Sequence, residues 1–273
     1  MPSIKTRDGA ELYVKDWGEG RPVIMIHGWP LSADMWGYQA MRLAEAGYRT
    51  IAYDRRGFGR SSQPWAGYDY DTLADDLGAV IEATGAADAT LVGFSMGGGE
   101  VARYLSRRGG AGVAGAALIA SVVPGLLKSE SNPSGVEAAA LDEMKEGILR
   151  DRPNFIKTWA QNYYGVGWVT SPVSEERVQW AVAIGMQSSL KAMLACVDAF
   201  GTTDFTPDLA AFTMPTLIVH GTSDAIVPID ATSRRAAAAI PGARLIEYEG
   251  ATHGVCETER ERLAQDLLDF LAA

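Results

Sequence analysis

Short apolar runs and amphipathic stretches alternate along most of this chain. Pro22–His27 (PVIMIH) and Ala89–Phe94 (ATLVGF) are continuous apolar runs, the pattern of strands covered on both faces. Arg49–Asp54, Val113–Ser121, Thr216–His220 and Arg244–Tyr248 are strand-like in the same way. Between them lie segments at helical spacing: Asp34–Ala46, Asp71–Thr84 with Leu73, Leu77, Val80 and Ile81 on one face, Met96–Arg107, and Asp230–Ile240. Near the start, Asp8-Gly9 suits a tight hairpin turn and predicts an antiparallel first pair of strands. A last helix carries Leu263, Leu267, Phe270 and Leu271 as its apolar stripe, and Thr258 with Glu261 predicts a capping box at its start. The order predicts an α/β protein with an eight-stranded, mostly parallel sheet and helices on both faces.

The rhythm breaks between about Val122 and Met214, a segment rich in helix formers and aromatics with no strand-like run. This predicts a helical cap over residues 122–214, inserted between core segments 1–121 and 215–273. Trp159, Tyr163, Tyr164, Trp168 and Trp180 are candidates to line a pocket beneath it.

Composition narrows the function classes. With 47% hydrophobic and 21% charged residues in 273, the chain has the composition of a packed globular protein rather than a disordered one. Its net charge of −10 and isoelectric point of about 4.8 oppose binding to a phosphate backbone, which argues against a nucleic-acid partner. Cys196 and Cys256 form no CxxC arrangement, so neither a disulfide framework nor a thiol–metal site is implied, and both are expected reduced and buried. The opening MPSIKTRDG lacks the apolar stretch of a signal peptide. The longest apolar stretch, 111–123, is interrupted by glycine and falls short of the roughly 20 residues that span a bilayer. The expectation is a cytoplasmic protein with no membrane partner, no cofactor and no metal, and with a homo-oligomer left open.

The chemistry concentrates at Gly93-Phe94-Ser95-Met96-Gly97, a G-x-S-x-G pattern where a strand runs directly into a helix. In that context the serine sits on a sharp elbow, and small neighbours are needed because side chains there would strike the adjoining elements. A serine hydroxyl needs a base within hydrogen-bond reach to attack at neutral pH. The chain has three histidines, and this elbow arrangement orders its triad as serine, acid, histidine. His220 ends a strand ahead of every carboxylate of the next loop, which leaves His253 as the base. Asp224, in the loop beyond the strand TLIVH, is the expected acid, with Asp230 and Asp204 as alternatives. Asp230 reads better as the N-terminal residue of a helix, and Asp204 lies in the cap. An oxyanion hole needs two backbone donors: the amide of Met96, and one from His27-Gly28-Trp29-Pro30. Pro30 has no N–H, so Trp29 is the expected second donor. Trp29 and Phe94 are also expected to touch substrate. His27 and His220 read as structural. The G-x-G within Asp54–Ser61 lacks a third glycine and a following helix, which argues against a dinucleotide site.

Taken together, His27–Pro30, Asp54–Ser61, Gly93–Tyr104, His220–Pro228 and Thr252–Gly254 resemble the cofactor-free haloperoxidase and aryl esterase group of α/β-hydrolases over essentially the whole chain. The resemblance implies the α/β-hydrolase fold, a triad of Ser95, Asp224 and His253, and oxyanion donors at Trp29 and Met96. It also implies hydrolysis of small carboxylic and aryl esters, with lactam opening in some members. With peroxide and a short carboxylic acid such proteins form a peracid, which oxidises halide without haem or metal. One departure is Thr252, where this group usually has proline before the histidine-glycine pair. The leading expectation is therefore a serine esterase acting on a small-molecule ester or carboxylic acid, with perhydrolysis or lactam hydrolysis as the alternative main activity. A non-catalytic ligand receptor is the reading from another class, and the complete triad argues against it. Epoxide hydrolases and dehalogenases of this fold generally use a carboxylate nucleophile, and Ser95 stands in its place.

Overall fold

The apolar runs become strands at, or within two residues of, the expected places. In the computed structural model, which describes residues 3–110, 112–167 and 170–273, β1 (Ser3–Lys5) and β2 (Glu11–Trp17) form the hairpin around Asp8-Gly9. Then follow β3 (Pro22–Ile26), a 3₁₀ turn at Ala33–Trp36 leading into α1 (Gly37–Glu45), β4 (Arg49–Tyr53), α2 (Tyr70–Thr84), β5 (Ala89–Phe94), α3 (Met96–Arg108) and β6 (Val113–Ile119). After α4 (Ala138–Tyr164), α5 (Glu175–Gly185) and α6 (Leu190–Thr202), the alternation resumes with β7 (Thr216–Gly221), α7 (Ser233–Ala239) and β8 (Arg244–Tyr248). It closes with α8 (Val255–Thr258) and α9 (Arg260–Ala272).

The eight strands make one sheet in the order β1-β2-β4-β3-β5-β6-β7-β8. Only the β1–β2 and β2–β4 pairings are antiparallel. Every residue of β5 is buried, and Val23 to Ile26 of β3 are fully so, which is why these two strands are apolar on both faces. Their carboxyl ends meet at the centre of the sheet, where the loops after β3 and β5 face each other.

Between β6 and β7 the described residues form helices and two isolated bridges but no strand. α4 kinks at Asp151 (φ −157°, ψ 83°), two residues before Pro153, whose ring removes a helical hydrogen bond and crowds the preceding turn. Among the described residues no single helix is long and apolar enough to cross a membrane. Cys196 and Cys256 are both free and buried, as expected.

Two local expectations fail. Thr258 does not cap the last helix: it ends α8, and its hydroxyl turns back to the Gly254 carbonyl (3.3 Å). α9 starts instead after Glu259 without a side-chain cap, and Glu261 pairs with Arg260. Asp230 likewise does not open α7, which begins at Ser233; its carboxylate instead holds Arg234 at 2.7 Å. In both places a short turn intervenes where periodicity alone predicted continuous helix.

Candidate active site

Ser95 stands between β5 and α3 with φ 53° and ψ −117°, a left-handed conformation that a residue with a Cβ adopts only when its surroundings enforce it. Here they do. The Ser95 amide donates to the Ile119 carbonyl (2.8 Å), and its own carbonyl accepts from the amides of Gly98 (3.1 Å) and Val122 (3.3 Å). The flanking glycines leave room for the turn: a Cβ on Gly93 would lie 2.5 Å from the Gly97 carbonyl oxygen, and one on Gly97 2.5 Å from that of Ile26. The elbow lifts the Ser95 hydroxyl out of the sheet to the N-terminus of α3.

His253 comes to it from the loop after β8. Its Nε2 lies 3.0 Å from Ser95 Oγ, and its Nδ1 2.6 Å from Asp224 Oδ2. Asp224 follows β7, and its other oxygen, Oδ1, accepts from the amides of Ile226 (2.9 Å) and Val227 (2.8 Å). Burial alone would raise this carboxyl, but the facing His253, with hydrogen bonds from His220 and His253, outweighs it and holds Asp224 below the usual carboxylate range. It is therefore ionised at neutral pH. The histidine loop is anchored to the end of α4, where the Tyr163 carbonyl accepts from the Gly254 amide (2.8 Å) and the Thr252 hydroxyl (3.1 Å). Thr252 thus ties the loop by a hydrogen bond at the position where proline would constrain it.

The loop after β3 is shaped from below. His27 Nε2 accepts from the Arg55 amide (2.9 Å), so the ring proton sits on Nδ1 and is donated to the Gly28 carbonyl (2.8 Å). Burial, reinforced by Arg55, keeps this ring well below its ordinary value and hence neutral. The Leu31 amide also donates to the Gly28 carbonyl (3.0 Å). A carbonyl held by two donors fixes its peptide plane, and the N–H of that plane, on Trp29, points the opposite way. The backbone N–H groups of Trp29 and Met96 donate to no acceptor among the described residues. Beneath this loop, buried Arg55 is paired with buried Glu100, which also accepts from the Tyr53 hydroxyl (2.8 Å). Fully buried charges persist only when paired and hydrogen-bonded in this way.

Ser95, His253 and the Trp29 side chain line a cavity of about 480 Å³. Its walls are mostly apolar, including Leu126, Leu141, Phe155, Phe200 and Ile226, while exposed Glu143 and Asn162 stand at its rim. Trp29 is fixed there by its indole N–H on the Met193 carbonyl (3.2 Å) and by edge-on contacts to Phe155, Trp159 and Phe200.

The predicted Ser95, His253 and Asp224 are brought together, Trp29 lines the same cavity as Ser95, and Met96 follows Ser95 as the first residue of α3. Phe94, the residue before Ser95, lies elsewhere. It is fully buried and does not line the cavity, because the side chain before the elbow points back under Gly28 and against the His253 ring, 4.9 Å away. Of the cap aromatics, Trp159 lines the cavity, whereas Tyr163 and Tyr164 are buried in packing and Trp180 stacks near Arg177. Trp168 lies outside the described residues. Asp204 accepts from the Thr206 amide and, like Asp230, takes no part. Sequence reasoning missed the reach of His220, whose Nε2 lies 3.1 Å from Asp224 Oδ2.

The sequence matches the alpha/beta hydrolase fold family over residues 21–259. It is 45% identical to a non-heme chloroperoxidase of Kitasatospora aureofaciens over 273 residues, 99% of each chain. A bifunctional esterase/perhydrolase of Acinetobacter calcoaceticus is 40% identical over 274 residues, again 99% of each chain. Among solved structures, bromoperoxidase from Bacillus anthracis superposes with a TM-score of 0.96 at 42% identity, covering 100% of this chain and 99% of that one.

Proposed function

The chain belongs to the alpha/beta hydrolase fold family, and on that premise we propose that it is a serine carboxylic-ester hydrolase that also perhydrolyses short carboxylic acids. The observation that carries this reading is the unbroken hydrogen-bond chain from Ser95 Oγ through His253 to Asp224 in the wall of an apolar cavity. Ser95 attacks the ester carbonyl while His253 Nε2 takes its proton, and Asp224 stabilises the imidazolium that results. The amides of Trp29 and Met96 receive the oxyanion, helped by the N-terminus of α3. The protonated His253 then gives its proton to the leaving alcohol, and the acyl group remains on Ser95. Water, activated by the same histidine, releases a carboxylic acid; hydrogen peroxide in its place releases a peracid. The chloroperoxidase and esterase/perhydrolase relatives support both branches. A cytoplasmic location belongs to the same proposal, and the two free, buried cysteines are compatible with a reducing compartment.

The cavity itself favours neutral substrates. Glu143 is the only carboxylate lining it among the described residues, and it makes no ion pair among them. A unit charge at the rim of a wet cavity is worth about 0.5 kcal/mol, roughly twofold in binding. The test is steady-state turnover of nitrophenyl acetate alone, and of acetate with hydrogen peroxide, in the parent and in Glu143→Gln. The parent should hydrolyse the ester and form peracid from the acid. The variant should bind acetate roughly twofold more tightly at low salt, with the KM for the neutral ester unchanged. Absence of both activities in the parent would refute the proposed function, and an equal change in both KM values would refute the role of Glu143.

A further inference from the structure

Two histidines converge on one oxygen of the acid. His253 reaches Asp224 Oδ2 from one side at 2.6 Å, and His220 Nε2 reaches it from the other at 3.1 Å. The second Nε2 contact of His220 is the Val227 carbonyl at 2.8 Å, and its Nδ1 lies 2.7 Å from the Ser233 hydroxyl. Both atoms facing Nε2 are acceptors, so Nε2 carries the proton and shares it between them, while Nδ1 accepts from Ser233. The imidazole is fully buried. It therefore spans the turn 224–227, gripping the carboxylate at one end and the Val227 carbonyl at the other, while the Ile226 and Val227 amides hold Oδ1.

We propose that His220 is a positioning residue for the acid: it holds Asp224 Oδ2 in line with His253 Nδ1 and withdraws charge from that oxygen, which sets the pH at which the base becomes active. The proposal rests on the reading of Asp224 as the acid of an esterase triad. Without the second donor, the carboxylate would be freer to turn, and the charge left on Oδ2 would stabilise protonated His253 more strongly. Removing His220 should therefore lower kcat and move the acidic limb of kcat/KM to higher pH. The other titratable groups around this cluster are Tyr163 of α4, with Cys256 and Glu257 of α8 beyond it, and Glu247 of β8 on the far side of His220. Glu247 is already bound to Arg234 at 2.7 and 2.8 Å, and the buried Tyr163 hydroxyl reaches no hydrogen-bond partner among the described residues. Neither substitutes for His220 as a donor to Asp224.

The test compares His220→Phe, which keeps a ring without a donor, with His220→Gln, whose amide nitrogen can stand where Nε2 stood. Turnover of nitrophenyl acetate is measured across pH, corrected for the fraction of sites that react with a fluorophosphonate. His220→Phe should lose about tenfold in kcat, the size of one hydrogen bond to a charged group, with KM within about twofold. Its acidic limb should move up by about half a pH unit. His220→Gln should recover most of the rate and return the limb toward the parent position. A lower melting temperature and fewer reactive sites, with kcat per site and the limb unchanged in both variants, would overturn the proposal and leave His220 a packing residue. If Asp224→Asn were itself fully active, the triad reading would fall and the proposal with it; if only Asp224→Asn lost activity, the proposal alone would fail.

Discussion

Ser95→Ala should remove ester turnover, lowering kcat by a factor of roughly 10⁴ to 10⁶, while leaving the fold in place. No other hydroxyl stands at hydrogen-bond distance from His253 Nε2 among the described residues. The elbow is held through the backbone of Ser95, by its bonds to Ile119, Gly98 and Val122, and by the bare glycines around it. Alanine has the same Cβ in the same left-handed conformation, so no new strain is introduced. Circular dichroism and a melting curve should match the parent within a few degrees. Turnover within tenfold of the parent would mean that another group is the nucleophile.

Asp224→Asn should cost roughly 10⁴ in kcat with a small change in KM. An amide oxygen can still accept from the Ile226 and Val227 amides at the Oδ1 position, but the NH₂ group then faces His253 Nδ1. It would donate to that nitrogen and force the proton onto Nε2, where the ring can no longer take one from Ser95. Asp230→Asn is the matched comparison. Asp230 is exposed and its carboxylate binds Arg234 in a surface pair, worth little, so its kcat should stay within about twofold. The opposite pattern would show that Asp230, not Asp224, is the acid.

The fold was legible where two physical constraints coincide. β3 and β5 are buried on both faces, so burial wrote uninterrupted apolar runs into the chain, and the elbow required glycines at Gly93 and Gly97 whatever the substrate. The cluster of Ser95, His253 and Asp224 was legible because chain order and the loops beyond strand ends left few histidines and carboxylates to choose from. What escaped depends on tertiary direction rather than spacing. Phe94 adjoins Ser95 in sequence, yet strand alternation sends it behind the His253 ring. The five residues from His220 to Asp224 form a turn that doubles back, so a histidine assigned to structure touches Asp224. The start of α9 was misplaced because Thr258 finds its partner in the preceding turn, a local competition that an apolar stripe does not record.

The central claim is that an acyl group passes through Ser95. Its most direct test is to treat the protein with a fluorophosphonate, follow esterase turnover and perhydrolysis as labelling proceeds, and locate the label by peptide mass spectrometry. The account predicts one label per chain, on the peptide carrying Ser95, with both activities falling in proportion to labelling and no label on Ser95→Ala. A label on a different residue, or either activity surviving in chains fully labelled at Ser95, would contradict it.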